Sequence, residues 1–439
     1  MKVLLIFLII FLFSCSFDNK TGIWNNSDIV ETREKRFENF KTLYTEEKSF
    51  NLEINPSENI KISLLPIKKN YKWEDEFFSD SNNSANFDFK NLSNFNLKSK
   101  KLSSYKTSER ILFDGKILLI SDIKGNIVVS SMEQDATTYK FNFYKKRYKK
   151  IKKNLNMIIE DNIVYVSDNL GFMYALDYQN RKLIWAKNYK VPFRSNLKIY
   201  ENKIILADQN NNLYIVNKLN GERIKLFPTE ENILKNNFNN SISLFATSIL
   251  FLNTYGTLYS INIKNLKINW FVSLNRTLDS GSINLFFSNP VIINKDKIIV
   301  STDPIFYILD INSGSTISKT NIFSVVSPII SGEYIFFVSR DNLLICMNLV
   351  DGKIIYSVNI DKKVANFLET KEKKVNIKSL AITNDRLNIF LNNSYVIIFD
   401  ITGKIYQIYE LPSKISSFPI FIEDKILYLD KKNKLRMYN

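Results

Sequence analysis

The chain has no histidine among its 439 residues. That absence removes the commonest general base, the usual imidazole metal ligand and every Ser–His or Cys–His nucleophile pair. Cysteine is almost absent as well: Cys15 and Cys346 stand alone. No adjacent cysteine pair exists, and Cys346 sits inside an apolar run where a buried, inert thiol is expected. Glycine (11) and proline (9) are scarce. A chain this long with so few of them must turn on Asn and Asp, which tolerate left-handed backbone better than other side chains.

What is plentiful is β-forming material: 33 Phe and 22 Tyr within a 45% hydrophobic composition. It is arranged periodically. An apolar strand, a polar turn and a second apolar strand closing on Asp or Asn recur eight times. The clearest copy is VSDNLGFMYALD, closing on Asp177. The others close on Ser131, Asn217, Asn262, Asp310, Asn348, Asp400 and Asn439. Aligned on their turns they fall at 125, 171, 211, 256, 304, 342, 394 and 433, spacings of 38 to 52 residues. Strand-only units at this period predict an eight-bladed β-propeller of four-stranded blades. One ring then absorbs a length that would otherwise suggest two or three domains.

Blade two is the template. Its strands are predicted at 154–160, 162–167, 172–177 and 182–189, with Trp185 eight residues beyond Asp177. Trp270 and Tyr356 hold the same offset from Asn262 and Asn348, whereas Ser318 and Ile408 replace the aromatic elsewhere. A ring at a fixed place on the outer strand predicts packing between neighbouring blades. First strands open on Pro in NPVI (289–292), SPII (327–330) and FPIF (418–421), where no ladder donor is lost. Asn220-Gly221, Ser313-Gly314, Asp351-Gly352 and Thr402-Gly403 suit tight hairpins. Asp168, Asp208 and Asp303 recur at turns, as hairpins require.

The eighth copy ends on its third strand at Asn439, so its fourth strand must come from before blade one. Otherwise the ring would keep two open edges. YKWEDEF (71–77) is the candidate, because Trp73 would supply the outer-strand aromatic. The propeller is placed at 61–439, with blades from about 108. Residues 79–100 are Ser/Asn-rich and read as a surface loop.

The amino terminus is an address. Met1-Lys2 precedes an unbroken apolar run, Val3 to Phe13, of signal-sequence length. Leu12-Phe13-Ser14-Cys15 resembles the bacterial lipoprotein processing box. The resemblance implies a signal peptide at 1–14, cleavage before Cys15, and its acylation as a stable membrane anchor. No disulfide then remains to be made. Ser16 implies release to the outer membrane. Polar, mixed-charge residues from 15 to about 60 read as a flexible tether.

The blade motif resembles pyrroloquinoline-quinone-type propeller repeats. Together with the lipoprotein box, the ISLLP…NYKW lead-in and the truncated eighth blade, the chain resembles the BamB family of outer-membrane assembly lipoproteins. That resemblance implies a non-enzymatic periplasmic scaffold in the β-barrel assembly machinery, without cofactor or metal. It would dock on the POTRA domains of the barrel subunit BamA and assist insertion of outer-membrane proteins. The family's docking loop corresponds to 227–241, with Ile233, Leu234 and Lys235 as the comparable residues. Lys235 stands where the family carries Arg and cannot present the same planar fork. The alternative on the same scaffold is a propeller that binds a small ligand or quinone in its central channel.

One charge feature is left over. KKRYKKIKK (145–153) has seven basic residues in nine, within a net charge of +16. It suits anionic headgroups, an acidic partner face or a merely solvated inter-blade loop. It also resembles a nucleic-acid patch, but an exported lipoprotein rarely meets nucleic acid.

Overall fold

A computed structural model describes residues 16–17, 24–25, 49–58, 60–89, 95–132, 136–231, 237–275 and 285–438. Contacts divide the chain into residues 1–48 and Ser49–Asn439. In the first unit the described residues form one short pairing, Ser16–Phe17 with Trp24–Asn25. The second unit is the eight-bladed propeller, each blade built on four antiparallel strands.

Blade two runs Leu155–Glu160, Ile163–Asp168, Phe172–Asp177 and Lys182–Asn188, matching the template within a residue or two. Middle strands are buried on both faces because blades stack sheet on sheet. They therefore read as continuous apolar runs, while the fourth strand is largely exposed. The core is a series of inter-blade layers. Leu119 and Val129 of blade one meet Tyr174 and Leu176 of blade two, and the pattern repeats around the circle. Phe390 of blade seven, Phe421 and Tyr428 of blade eight, and Leu118 and Val128 of blade one share the layer that closes it.

The recurring Asp and Asn residues are turn braces. The carboxylates of Asp122, Asp168, Asp208 and Asp430 each accept the N–H groups two and four residues onward. Asp177, Asn217, Asn262, Asp310, Asn348 and Asp400 accept N–H groups of the next turn in the same way. That is why the third strands of blades two to seven close on one of these residues. Asp303 is an exception to the expected series. Thr302 occupies the brace position, bridging Ser288, and Asp303 instead pairs with Arg340 at 2.6 Å.

The outer-strand aromatics do join neighbouring blades. Trp185 donates Nε1–H to the Lys218 carbonyl at 2.9 Å and lies flat on Gly221, where a Cβ would come within 2.5 Å of the ring. Trp270 repeats this with Ile311 and Gly314. Both glycines have φ near +70°, so the turn and the indole each demand glycine. Where the aromatic is lost, Ser318 faces Gly352.

Closure of blade eight differs from expectation in its donor. The missing strand is Phe95–Lys101, paired antiparallel with Lys434–Tyr438. Segment 71–77 lies elsewhere. Trp73 is buried and bridges Phe113 on the first strand of blade one. Residues from Ser49, assigned by sequence to the tether, lie along the ring: Ile54 bridges Ser357 on the outer strand of blade six. The helix Ile360–Phe367, capped by Asn359, interrupts the connection from blade six to blade seven.

Candidate functional site

The centre of the ring is filled by the chain's own residues 70–89. This segment makes one circuit and bonds to the first strand of every blade in turn. Trp73 exchanges backbone hydrogen bonds with Phe113 of blade one, and the Glu74 carbonyl accepts from Ile159 N–H of blade two at 2.8 Å. Lys198 of blade three donates to Asp75 Oδ2 at 2.7 Å and to the Ser79 carbonyl at 2.6 Å. The Asp80 carbonyl accepts from Leu244 of blade four, and the Ser81 carbonyl from Ile293 of blade five. Asn82 Nδ2 spans those two blades, reaching the Ile242 and Val291 carbonyls. Asn83 pairs both its amide atoms with Ile330 of blade six. Asn86–Phe87 adds a parallel strand to blade seven. Phe87 stacks on Phe421 of blade eight with centroids 5.1 Å apart, and Asn70 reaches the Phe421 carbonyl.

The Ser/Asn richness of 79–89 now has a physical reason. First strands around an axis present backbone groups that nothing else pairs. Short amide and hydroxyl side chains satisfy them from the middle. The sequence expectation of a surface loop is therefore corrected: Asn82, Asn86 and Asp88 are buried. Loop-like composition gave no sign of this, because a plug and a loop need the same polar residues.

Electrostatics follow from burial. Asp75 and Lys198 form a pair in which Lys198 is fully buried. Burial pushes the Glu76 carboxyl up to about 7, against the opposing pull of the Met157 N–H and Arg110. Arg110 donates to the Glu76 carbonyl, and its guanidinium lies between the rings of Phe77 and Phe418, 4.4 and 4.0 Å from their centroids. Burial lowers its pKa.

A raised carboxyl makes folding sensitive to pH, with a definite sign. Between its ordinary value of 4.5 and about 7, the unfolded chain releases the Glu76 proton while the folded chain keeps it. Stability from this group is thus greatest at low pH and falls as pH rises through that window. Glu76→Gln is expected to gain on the parent protein by about 3 kcal/mol between pH 4.5 and pH 8. Urea titrations at several pH values check this. A difference that stays flat with pH removes the assignment.

Above the plug is a cavity of about 230 Å³, lined by Glu76, Phe77, Arg110, Pro290, Pro328 and Pro419 among others. It is smaller than usual ligand pockets. Among the described residues no cluster of acidic, Cys or His side chains has metal-ligating geometry. Cys346 is buried, and burial raises its thiol pKa.

Of the site residues read from sequence, Cys15, Ile233, Leu234 and Lys235 lie outside the described residues. The stems of the 227–241 loop are described and firmly held between blades three and four. Glu230 accepts from Tyr259 Oη–H at 2.7 Å and from Asn253 Nδ2 at 2.9 Å. Asn240 donates to the Asp208 carbonyl at 2.8 Å. Among the described residues no helix is long and apolar enough to cross a membrane.

Comparison with known proteins bears on this ring. The family described as outer membrane protein assembly factor BamB matches residues 105–358, more than half of the chain. No curated protein matches. Among solved structures, BamB from Moraxella catarrhalis is 10% identical with a TM-score of 0.61, covering 78% of this chain and 100% of its own. Quinohemoprotein alcohol dehydrogenase from Comamonas testosteroni is 10% identical with a TM-score of 0.66, covering 84% and 80%. A computationally designed protein, Ika8, is 12% identical with a TM-score of 0.56, covering 77% and 99%. At such identities these three likenesses concern the fold alone.

Proposed function

We propose a scaffold function, starting from the fact that this chain belongs to the family of outer membrane protein assembly factor BamB. It acts as a non-enzymatic periplasmic lipoprotein of the outer-membrane β-barrel assembly machinery, held to the outer membrane through Cys15. It docks on the POTRA domains of a BamA-like barrel subunit and assists insertion of outer-membrane proteins. The observation that carries the reading is the plug. Residues 70–89 occupy the axis where a propeller would otherwise hold a ligand, and they tie all eight blades together. What remains is a rigid ring that presents loops. Its chemistry fits: no histidine, no adjacent cysteines and an axial cavity of only about 230 Å³ disfavour a ligand-binding or quinone-binding alternative.

The loop 227–241 is the docking element, because its stems are fixed while its centre carries Ile233, Leu234 and Lys235. Well-packed, fully desolvated side chains near the centre of an interface carry most of its binding energy. Capture of the tagged chain from solubilised envelopes is expected to recover the barrel subunit. Leu234→Asp should weaken that recovery at least about tenfold, as expected for a truncated hot spot. A stoichiometric chromophore recovered without the barrel subunit would overturn the scaffold reading.

Anchoring has its own test. Cys15→Ala is expected to abolish labelling by a fatty-acid probe. Continued labelling of that variant refutes the anchor.

A further inference from the structure

A propeller has two faces. The upper one carries the turns between second and third strands and the connections from blade to blade. On it, the basic run 145–153 is not an isolated loop. It includes a short 3-10 turn, Lys146–Tyr148, between blades one and two. Lys153 is buried and donates to the Tyr148 carbonyl, which fixes the loop's form. Lys145, Lys146, Arg147, Lys149, Lys150 and Lys152 remain exposed.

Backbone hydrogen bonds join this loop to its neighbours in a continuous arc. Lys153 N–H donates to Ile123, Ile123 to Lys106, and Lys431 to Lys414. Asn433 Nδ2 donates to the Ser103 and Tyr105 carbonyls and so connects blade eight to blade one. The arc adds Lys106, Lys414, Lys431 and Lys432, all exposed. A groove of about 580 Å³ between blades eight and one is lined by Lys101, Lys106, Lys378, Lys431 and Lys432, with Glu109. Glu109 is taken by Lys378 at 3.0 Å. Asp122 and Asp168 of this sector are buried and brace turns, and Asp430 holds Arg436. Among the described residues, none of the six exposed loop cations, nor Lys106, Lys414, Lys431 or Lys432, forms an ion pair. Two apolar side chains stand among these charges, Ile151 at 44% and Tyr105 at 45% exposure.

We propose that the upper face of blades eight, one and two is a docking surface for an anionic lipid bilayer. The chemistry of the charges selects this occupant. They are nearly all lysines, hydrated point charges without the planar fork that recognises a fixed carboxylate. They are spread along an arc instead of converging on a pocket. Such a layout matches a field of mobile headgroups, to which each surface lysine adds a small, similar attraction. Ile151 and Tyr105 suit the headgroup boundary, where amphipathic and apolar tips insert shallowly. The proposal needs neither the anchor nor the barrel partner, and it leaves the 227–241 loop free on a different sector of the ring.

Vesicle co-sedimentation tests it with the full-length chain carrying Cys15→Ala, so that acyl chains cannot contribute. Phosphatidylcholine vesicles are compared with and without phosphatidylglycerol; the difference cancels any contribution from the apolar leader. Binding is expected to rise with phosphatidylglycerol and to fall away at about 1 M salt, where the screening length shrinks to about 3 Å. Lys146→Glu, Lys149→Glu and Lys150→Glu together should cut the phosphatidylglycerol-dependent partition at least about tenfold, with an unchanged melting curve. Equal binding to both vesicles overturns the proposal, and so does a triple variant that keeps the preference. If vesicle binding is unaffected while the variant loses affinity for polyglutamate, the face serves an acidic protein and the membrane reading is wrong.

Discussion

Lys98→Pro combined with Ser99→Pro is expected to cost about 3 kcal/mol or more of stability and to bring on aggregation. The segment Phe95–Lys101 is the fourth strand of blade eight and has a single neighbour, Lys434–Tyr438. In an antiparallel pair alternate N–H groups face the partner, so two consecutive prolines must delete a ladder bond whichever residue donates it. The same change removes the Ser99 hydroxyl, which accepts Leu435 N–H at 2.8 Å inside the sheet. Losing this strand does more than fray an edge. Leu102 follows immediately, is buried, and donates to the Asn433 carbonyl. Ser103 then donates to the brace carboxylate of Asp122 in blade one. The closing strand thus leads directly into the joint between the last blade and the first. Urea unfolding and light scattering on heating give the readout. A melting curve that matches the parent would mean that the ring closes without this strand.

Strand count, blade number and the need for an external strand were all legible, because each rests on local rules. Middle strands are apolar because they are covered twice, and the third strands of blades two to seven close on a residue whose side chain caps the next turn. The aromatic step from Asp177 to Trp185 is readable for the same reason: it serves one contact, with Gly221 of the next blade. What misled was Trp73. In sequence it resembles the outer-strand aromatic, but it belongs to the axial cluster with Phe78 and Phe87. The true closing strand, FNLKSKK, carries no aromatic at the expected step. Its position follows from being joined to Leu102, a constraint of connectivity that periodicity does not express. The plug was illegible for a different reason. Most of its partners are backbone groups of first strands, and backbone leaves no mark on side-chain identity. Legibility of the site followed the same division. The proposed docking loop, 227–241, was reached only through the family resemblance, while the filled axis emerged only in three dimensions.

The plug's hold on the ring is expected to depend most on one pair. Asp75→Asn should destabilise the protein by about 3–5 kcal/mol, the usual cost of leaving a buried charge without its counterion. Lys198 is fully buried, and its ammonium has two described hydrogen-bond acceptors, Asp75 Oδ2 and the Ser79 carbonyl. Asparagine keeps the shape and an oxygen for Phe77 N–H, which Asp75 Oδ1 now accepts at 2.7 Å. The substitution therefore isolates charge from packing. Because the penalty belongs to the stranded cation, removing that cation should return most of it. Asp75→Asn with Lys198→Met is expected to recover more than half of the loss, since apolar replacement of a buried pair is commonly near neutral. A double variant as unstable as the single one would mean that the plug is held by its backbone bonds and that the pair contributes little. Recovery in the double variant would identify the Asp75–Lys198 pair as the main fastening of the plug to blade three.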